Sequence, residues 1–283
     1  MSNQNIGHNP PQPMTPMDRV RPHVRGLRPA CWVGNVDEVR RVLDQTTDDI
    51  DGIGDGRMTP VMDAAVYGHS DIVALLVEKR ADLLLRDLDG KNVLHYACRG
   101  GDVRTVQFLL SQDGVQVNSE DVGNTTPVMD AARYGHRDIV ELLAKKGADL
   151  SLRDSDGNNV LHHACQEGHA RTVRFLLSQN GVHVNGEGGG NRTPVMDAAK
   201  QGHRYIVGLL ACNYADLSLR DSGGNNVLHL ACQGGHAWTV RLILEMRLVD
   251  VNARNNVEQT AADVARNGGH RQLVDLLVSH GAR

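Results

Sequence analysis

The sequence has few aromatic residues and no long apolar run. Phe, Trp and Tyr make up 3% of its 283 residues, although 40% of the chain is hydrophobic. Alanine, valine and leucine therefore supply most of the apolar content, which suits short helices that pack closely. No segment approaches the ~18 consecutive apolar residues that span a bilayer. We therefore expect no insertion into a membrane.

The chain also lacks a basic charge balance and the common catalytic motifs. Its net charge of −4 argues against nucleic acid as the main partner, because binding to a phosphate backbone requires a basic face. The patterns Cys-x-x-Cys, His-Glu-x-x-His and Gly-x-Ser-x-Gly do not occur. The glycines from Gly186 to Gly190 lack the Lys-Ser or Lys-Thr of a phosphate-binding loop. We expect no catalysis, no cofactor and no bound metal, and an enzyme is the disfavoured alternative.

The N-terminus and the cysteines indicate the compartment. The start of the chain has no basic region followed by an apolar one, so a secretory signal is not expected. Four cysteines occupy one repeated position, about 20 Å apart if neighbouring helices pack at roughly 10 Å, which is too far for disulfides. We expect these four to be buried thiols, Cys212 to be exposed, and the protein to be cytoplasmic or nuclear.

Internal repetition is the dominant feature of the chain. Three sets of residues recur at intervals of 67: Cys31, Cys98, Cys165 and Cys232; Pro60, Pro127 and Pro194; His95, His162 and His229. Each block divides into two similar halves of 33 or 34 residues. One half carries Thr-Pro-Val-Met-Asp-Ala-Ala from Thr126, and the other carries Asn-Val-Leu-His-His-Ala-Cys from Asn159. Such periodicity predicts a solenoid of stacked units.

Each half predicts two short helices and a turn. Thr126 can cap a helix that begins at Pro127, where the missing N–H does no harm. A second helix follows with apolar residues on one face over 139–143, and Gly147 ends it. A turn is expected at residues 154–157. Helices this short depend on stacking against their neighbours.

These motifs, returning in register, resemble the ankyrin repeat. The family pattern Thr-Pro-Leu-His-x-Ala is split here between the halves. The Thr-Pro halves have methionine in place of histidine, as in Met62, Met129 and Met196. The other halves keep the histidine and lose Thr-Pro, but their asparagines can still cap a helix: Asn92, Asn159 and Asn226.

The resemblance implies an all-α repeat solenoid of helix-turn-helix units joined by β-hairpin-like loops. It covers residues 27–283, in about eight repeats that start near residues 27, 57, 91, 125, 158, 192, 225 and 259. The terminal repeats are the least regular. Residues 1–26 hold five of the nine prolines and little apolar periodicity, which predicts a disordered tail.

The candidate binding residues are the positions that differ between copies. They follow the Ala-Ala or Ala-Cys pair of each unit, while the surrounding motif repeats almost unchanged. The proposed partner-binding residues are Trp32, Val66, Tyr67, Arg99, Arg133, Tyr134, Gln166, Glu167, Lys200 and Gln201. Aromatic residues and arginine are enriched at binding hot spots, which favours a contact surface in the N-terminal half. The alternative is that these are ordinary solvated positions of the helices.

The resemblance implies a monomeric, non-catalytic scaffold or adaptor. Ankyrin arrays usually bind a protein partner on the concave face of the inner helices and on the hairpin tips. One alternative is an inhibitor or cofactor of a transcription factor. Another is a targeting subunit of a larger signalling or ubiquitin-ligase complex.

Overall fold

A computed structural model of the protein describes residues 26–45 and 50–283. The predicted disordered tail lies outside these residues, apart from Gly26. The described residues form sixteen α-helices and no β-strand, with one isolated bridge between Arg254 and Thr260. None of these helices is both long and apolar enough to cross a membrane.

The helices follow one another in eight pairs. The first helices of the pairs are α1 (Leu27–Val33), α3 (Pro60–Val66), α5 (Val93–Gly100), α7 (Pro127–Arg133), α9 (Val160–Gln166), α11 (Pro194–Lys200), α13 (Val227–Gln233) and α15 (Ala261–Asn267). The second helices are α2 (Val36–Gln45), α4 (Ser70–Glu78), α6 (Val103–Leu109), α8 (Arg137–Lys145), α10 (Ala170–Leu176), α12 (Arg204–Ala211), α14 (Ala237–Met246) and α16 (Arg271–Ser279).

The pairs stack into two rows of helices. Each first helix packs against the first helices of the neighbouring pairs, and each second helix packs against the second helices beside it. The core runs along the whole array between the rows, with Ile139 and Leu143 of α8 fully buried. The expected α-helical solenoid is therefore confirmed.

The Thr-Pro helices begin as predicted, but the expected side-chain cap at Thr126 is not formed. Thr126 lies at the N-cap of α7 in extended backbone, and Pro127 is the first helical residue. The hydroxyl of Thr126 is buried without a hydrogen-bond partner among the described residues, so Thr126 is not a side-chain cap. Thr59, at the equivalent position of α3, accepts a bond of 3.4 Å from the amide of Met62.

The asparagine helices are capped through their side chains. The Oδ1 of Asn92 accepts the backbone amides of Leu94 and His95, at 3.1 and 3.3 Å. His95 in turn accepts the amide of Asn92 and donates through Nε2 to the carbonyl of Thr125 in the next pair, at 3.0 Å. Burial lowers the pKa of His95. His162 and His229 form equivalent bonds, each of them also to a carbonyl just before the next helix pair.

The loops between pairs close as hairpin-like tips. At one tip the amide of Asp87 donates to the carbonyl of Lys91 at 3.0 Å. The carboxylate of Asp87 also accepts the amides of Asp89 and Lys91. Successive tips are bonded to each other, as where the amide of Val122 donates to the carbonyl of Asp89 at 2.8 Å. The tips therefore form a continuous edge of the array.

The glycine-rich segment belongs to one of these tips. The amide of Gly188 donates to the carbonyl of Arg192 at 2.7 Å. A Cβ atom at Gly188 would lie 2.3 Å from the Oδ1 of Asn158, so a larger residue there would displace that side chain. Asn124 and Asn191 adopt the left-handed conformation at equivalent tips, with φ of 56° and 58°.

The cysteines lie as the repeat predicts. The four repeated thiols are buried and Cys212 is exposed, and all five are free. Burial raises the pKa of Cys232 to about 12 and raises that of Cys98 and Cys165 well above the ordinary value.

Candidate functional site

The ten candidate residues lie at corresponding positions on six consecutive first helices, α1 to α11. Each is at, or within one residue of, the C-terminal end of its helix. Trp32, Tyr67 and Arg133 are exposed, as are Glu167 and Gln201. The half-buried members are Val66, Arg99, Tyr134, Gln166 and Lys200. Val66 packs against the hydrophobic core, so it offers a partner little surface.

Two aromatic side chains of the set meet at the N-terminal end. The ring centres of Trp32 and Tyr67 are 6.0 Å apart with the planes tilted by 53°, the geometry of an attractive aromatic pair. Both rings remain about two-fifths exposed, at 42% and 38%. They line a shallow depression together with Pro29 and the ion pair of Arg28 and Asp63.

The next two first helices pair a guanidinium with an aromatic ring. The guanidinium carbon of Arg99 lies 5.3 Å from the ring centre of Tyr134, within the range of a cation–π interaction. The neighbouring Arg133 is exposed on α7. The structure therefore brings Arg99 and Tyr134 together across two helices.

Histidines hold the backbone that carries the candidate residues. Each follows a glycine at the turn between paired helices and contacts a carbonyl of the preceding pair through Nε2. These contacts join His69 to Trp32, His136 to Arg99, His169 to Arg133, His203 to Gln166 and His236 to Lys200, at 2.8–3.2 Å. Because a carbonyl oxygen only accepts hydrogen bonds, Nε2 must carry the proton. Carbonyls left open at helix ends are thereby satisfied.

Two pairs depart from this arrangement. Asn35 stands at this position in the first pair. Asp102 stands there in the third pair, and its carboxylate caps α6 by accepting the amides of Arg104 and Thr105. The carbonyl of Val66 is approached instead by Gly100, where a Cβ atom would lie only 2.5 Å from that oxygen. Gly100 is thus required by the close approach of two first helices.

Buried carboxylates lie in the first turns of the Thr-Pro helices. Asp63, Asp130 and Asp197 are each paired with a different cation. Burial raises the pKa of Asp63, and Arg28 opposes that rise. The partner of Asp130 is Lys91, which lies 39 residues away in the chain, so the sequence around Asp130 gives no sign of this pair.

The Lys91 side chain joins two carboxylates. Its Nζ lies 2.9 Å from Asp121 and 3.1 Å from Asp130, whose side chains are each 7% exposed. Burial alone would lower the pKa of Lys91, but the two carboxylates outweigh it and raise that pKa. Lys91, Asp121 and Asp130 neutralise one another in ion pairs, which points to a structural role. Within the described ranges, no group of three or more His, Cys, Asp or Glu side chains could hold a metal ion.

Comparison with known families settles the kind of array. A model of ankyrin repeats matches residues 81–154, 147–221 and 215–283, and a single-repeat model matches residues 57–88. The chain belongs to the ankyrin-repeat family. Ankyrin repeats are protein-interaction modules, so membership supports a role in protein binding.

Several curated relatives share the ankyrin array. The chain is 27% identical to a putative palmitoyltransferase (ZDHHC13) of Danio rerio, over 77% of this chain and 34% of the relative. It is 28% identical to the ankyrin repeat domain-containing protein SAT10 of Stachybotrys chartarum, over 78% of this chain and 11% of the relative. It is 36% identical to the human transient receptor potential cation channel subfamily A member 1, over 43% of this chain and 11% of the relative. The matches span about a third or less of each relative's length.

Proposed function

We propose that this ankyrin-repeat protein is a non-catalytic, monomeric module that binds a partner protein in the cytoplasm or nucleus. The binding surface runs along α1, α3, α5 and α7 from the tips at their N-terminal ends and is centred on their C-terminal ends. One observation carries the proposal: residues that vary between copies form contacting pairs on consecutive helices, Trp32 with Tyr67 and Arg99 with Tyr134.

These pairs have the chemistry of an interaction hot spot. Tryptophan, tyrosine and arginine are the side chains that most often dominate binding energy. Their backbone is held by His69, His136 and His169, so little ordering is left to be done on binding. First helices spaced about 10 Å apart offer a track for an extended or helical segment of the partner.

The charge of the surface favours an acidic partner segment. Arg99 and Arg133 lie on neighbouring first helices, and neither forms an ion pair with a described carboxylate. The C-terminal members of the candidate set add only Lys200, with Glu167 opposing it. We therefore expect association rates that fall as salt concentration rises.

A crosslinking experiment tests this surface. A photoreactive phenylalanine analogue at Tyr67 should crosslink to the partner in cells, and the same analogue at exposed Tyr214 should not. The Arg99→Ala/Arg133→Ala/Tyr134→Ala variant should lose the partner and keep the circular dichroism spectrum of the wild type. Crosslinking from Tyr214 alone would place the interface elsewhere.

We further infer that residues 27–283 form one domain of eight repeats. The family models begin at residue 57, but α1 packs against α3 and α2 packs against α4 in the same arrangement as later pairs. Cys31 of α1 is fully buried, like Cys98 one block later. The pair of α1 and α2 is therefore best described as a degenerate first repeat.

A further inference from the structure

The second helices of the C-terminal half carry an exposed face that the surface on the first helices does not include. The residues of this basic–aromatic face are Arg171, Arg174, Arg204, Tyr205, Trp238 and Arg241. They belong to α10, α12 and α14, three neighbours in the row of second helices. All six are exposed.

Arginines and aromatic rings are in contact from one helix to the next. The guanidinium carbon of Arg174 lies 5.9 Å from the ring centre of Tyr205. Those of Arg204 and Arg241 lie 6.0 and 5.5 Å from the ring centre of Trp238. Arginine and aromatic side chains therefore alternate across α10, α12 and α14.

Neither aromatic residue is needed by the core. Tyr205 is 57% exposed and Trp238 is 66% exposed, at equivalent second positions of α12 and α14. The equivalent positions of α4 and α8 hold Asp71 and Asp138, so an aromatic residue is not required for helix packing there.

The positive charge of the face is not neutralised by the described chain. Helices α10 and α12 contain no acidic residue, and Glu245 near the end of α14 is the single acid on the three helices. In the part of the chain that the structure describes, Arg171, Arg174, Arg204 and Arg241 form no ion pair. On α8, by contrast, Arg137 lies 2.8 Å from Glu141 and 3.2 Å from Asp138.

We propose that this face is a second binding surface, which takes an acidic segment of a partner protein. Four unneutralised guanidiniums attract carboxylates, and two exposed rings offer apolar contact beside them. Three helices about 10 Å apart, with the long side chains at each end, span about 30 Å. An extended segment of about ten residues covers that length.

The geometry favours carboxylates over nucleic-acid bases. A base would stack on a ring, but two guanidiniums lie beside the ring of Trp238, and that of Arg174 donates a hydrogen bond to the hydroxyl of Tyr205. A carboxylate can bind the edge of a guanidinium that stays stacked on its ring.

Fluorescence anisotropy with defined probes tests the proposal on the full-length protein. The probe is a labelled peptide of about ten residues, mostly glutamate with two tryptophans. A peptide with lysine replacing glutamate and a single-stranded oligonucleotide of similar length serve as comparisons. The test variant is Arg171→Glu/Arg174→Glu/Arg204→Glu. The matched control reverses three exposed arginines on second helices outside the face: Arg40→Glu/Arg104→Glu/Arg271→Glu.

We expect the acidic peptide to bind the wild type and the control variant equally, and the test variant at least about tenfold more weakly. Tyr205→Ala/Trp238→Ala should also weaken binding, because the apolar contact is lost. Absence of binding to the wild type, or equal loss in both charge-reversal variants, would overturn the proposal. Tighter binding of the oligonucleotide at the same residues would instead identify a nucleic-acid site.

Discussion

Replacing Lys91 with methionine tests the importance of the buried ion pairs most sharply. The Lys91 Nζ lies between Asp121 and Asp130, and the lysine side chain is only 21% exposed. Methionine retains most of the apolar stem, so the main change is the loss of the positive charge. Two buried carboxylates are then left without a cation.

The expected loss of unfolding free energy is about 3–5 kcal/mol, because breaking a buried pair leaves an uncompensated charge. The next block of the chain supplies a rescue. There Arg192, immediately before α11, lies 2.9 Å from Asp197 and takes the role of the lysine. Three substitutions copy the residues found 67 positions later: Lys91→Asn, Asp121→Gly and Thr125→Arg. This triple variant should recover most of the lost stability by pairing Asp130 with the new arginine.

Urea unfolding followed by circular dichroism measures both variants. Hydrogen exchange in α7 shows whether the loss is local, since repeat arrays need not unfold in one step. A loss below about 1 kcal/mol for Lys91→Met would refute the assigned cost of the unpaired carboxylates. A triple variant no more stable than Lys91→Met would refute the equivalence of the two arrangements.

Three further predictions concern burial along the array. Leu143→Ala in the centre should cost about 2–5 kcal/mol by leaving a cavity. The equivalent Leu277→Ala should cost less global stability because the last repeat opens locally, and hydrogen exchange as slow in α16 as in α8 would contradict this. Thiol labelling of the native protein should modify Cys212 first, whereas Cys165 should react only on unfolding. Cys165→Leu should destabilise by about 1–3 kcal/mol through overpacking, as measured by urea unfolding.

Sequence patterns predicted the helices well because the same local patterns recur in several repeats. Pro127, each capping asparagine and the apolar spacing of α8 act only on residues close to them in the sequence. Asn124 and Asn191 have positive φ, which asparagine tolerates better than most residues. The unpartnered hydroxyl of Thr126 could not be predicted, because whether that side chain finds a partner depends on packing.

Contacts between repeats were less predictable. Lys91 reaches Asp130 over 39 residues, whereas Arg192 reaches Asp197 over five, so the spacing follows no fixed period. The basic–aromatic face was also missed. Its signal was present in the chain: Tyr205 and Trp238 vary at a second-helix position, just as the candidate residues vary on the first helices. Only the stacking of the second helices shows that these positions become neighbours.

The most direct test of the central claim is the affinity of the purified crosslinked partner, measured by calorimetry. Two triple alanine variants are compared with the wild type. The first removes Arg99, Arg133 and Tyr134, and the second removes three variable residues of the C-terminal half: Lys200, Gln201 and Gln233. Loss of two or three hot-spot side chains should weaken binding at least a hundredfold for the first variant. The second should bind within about threefold of the wild type. The opposite pattern would place the partner on the C-terminal half and contradict the account.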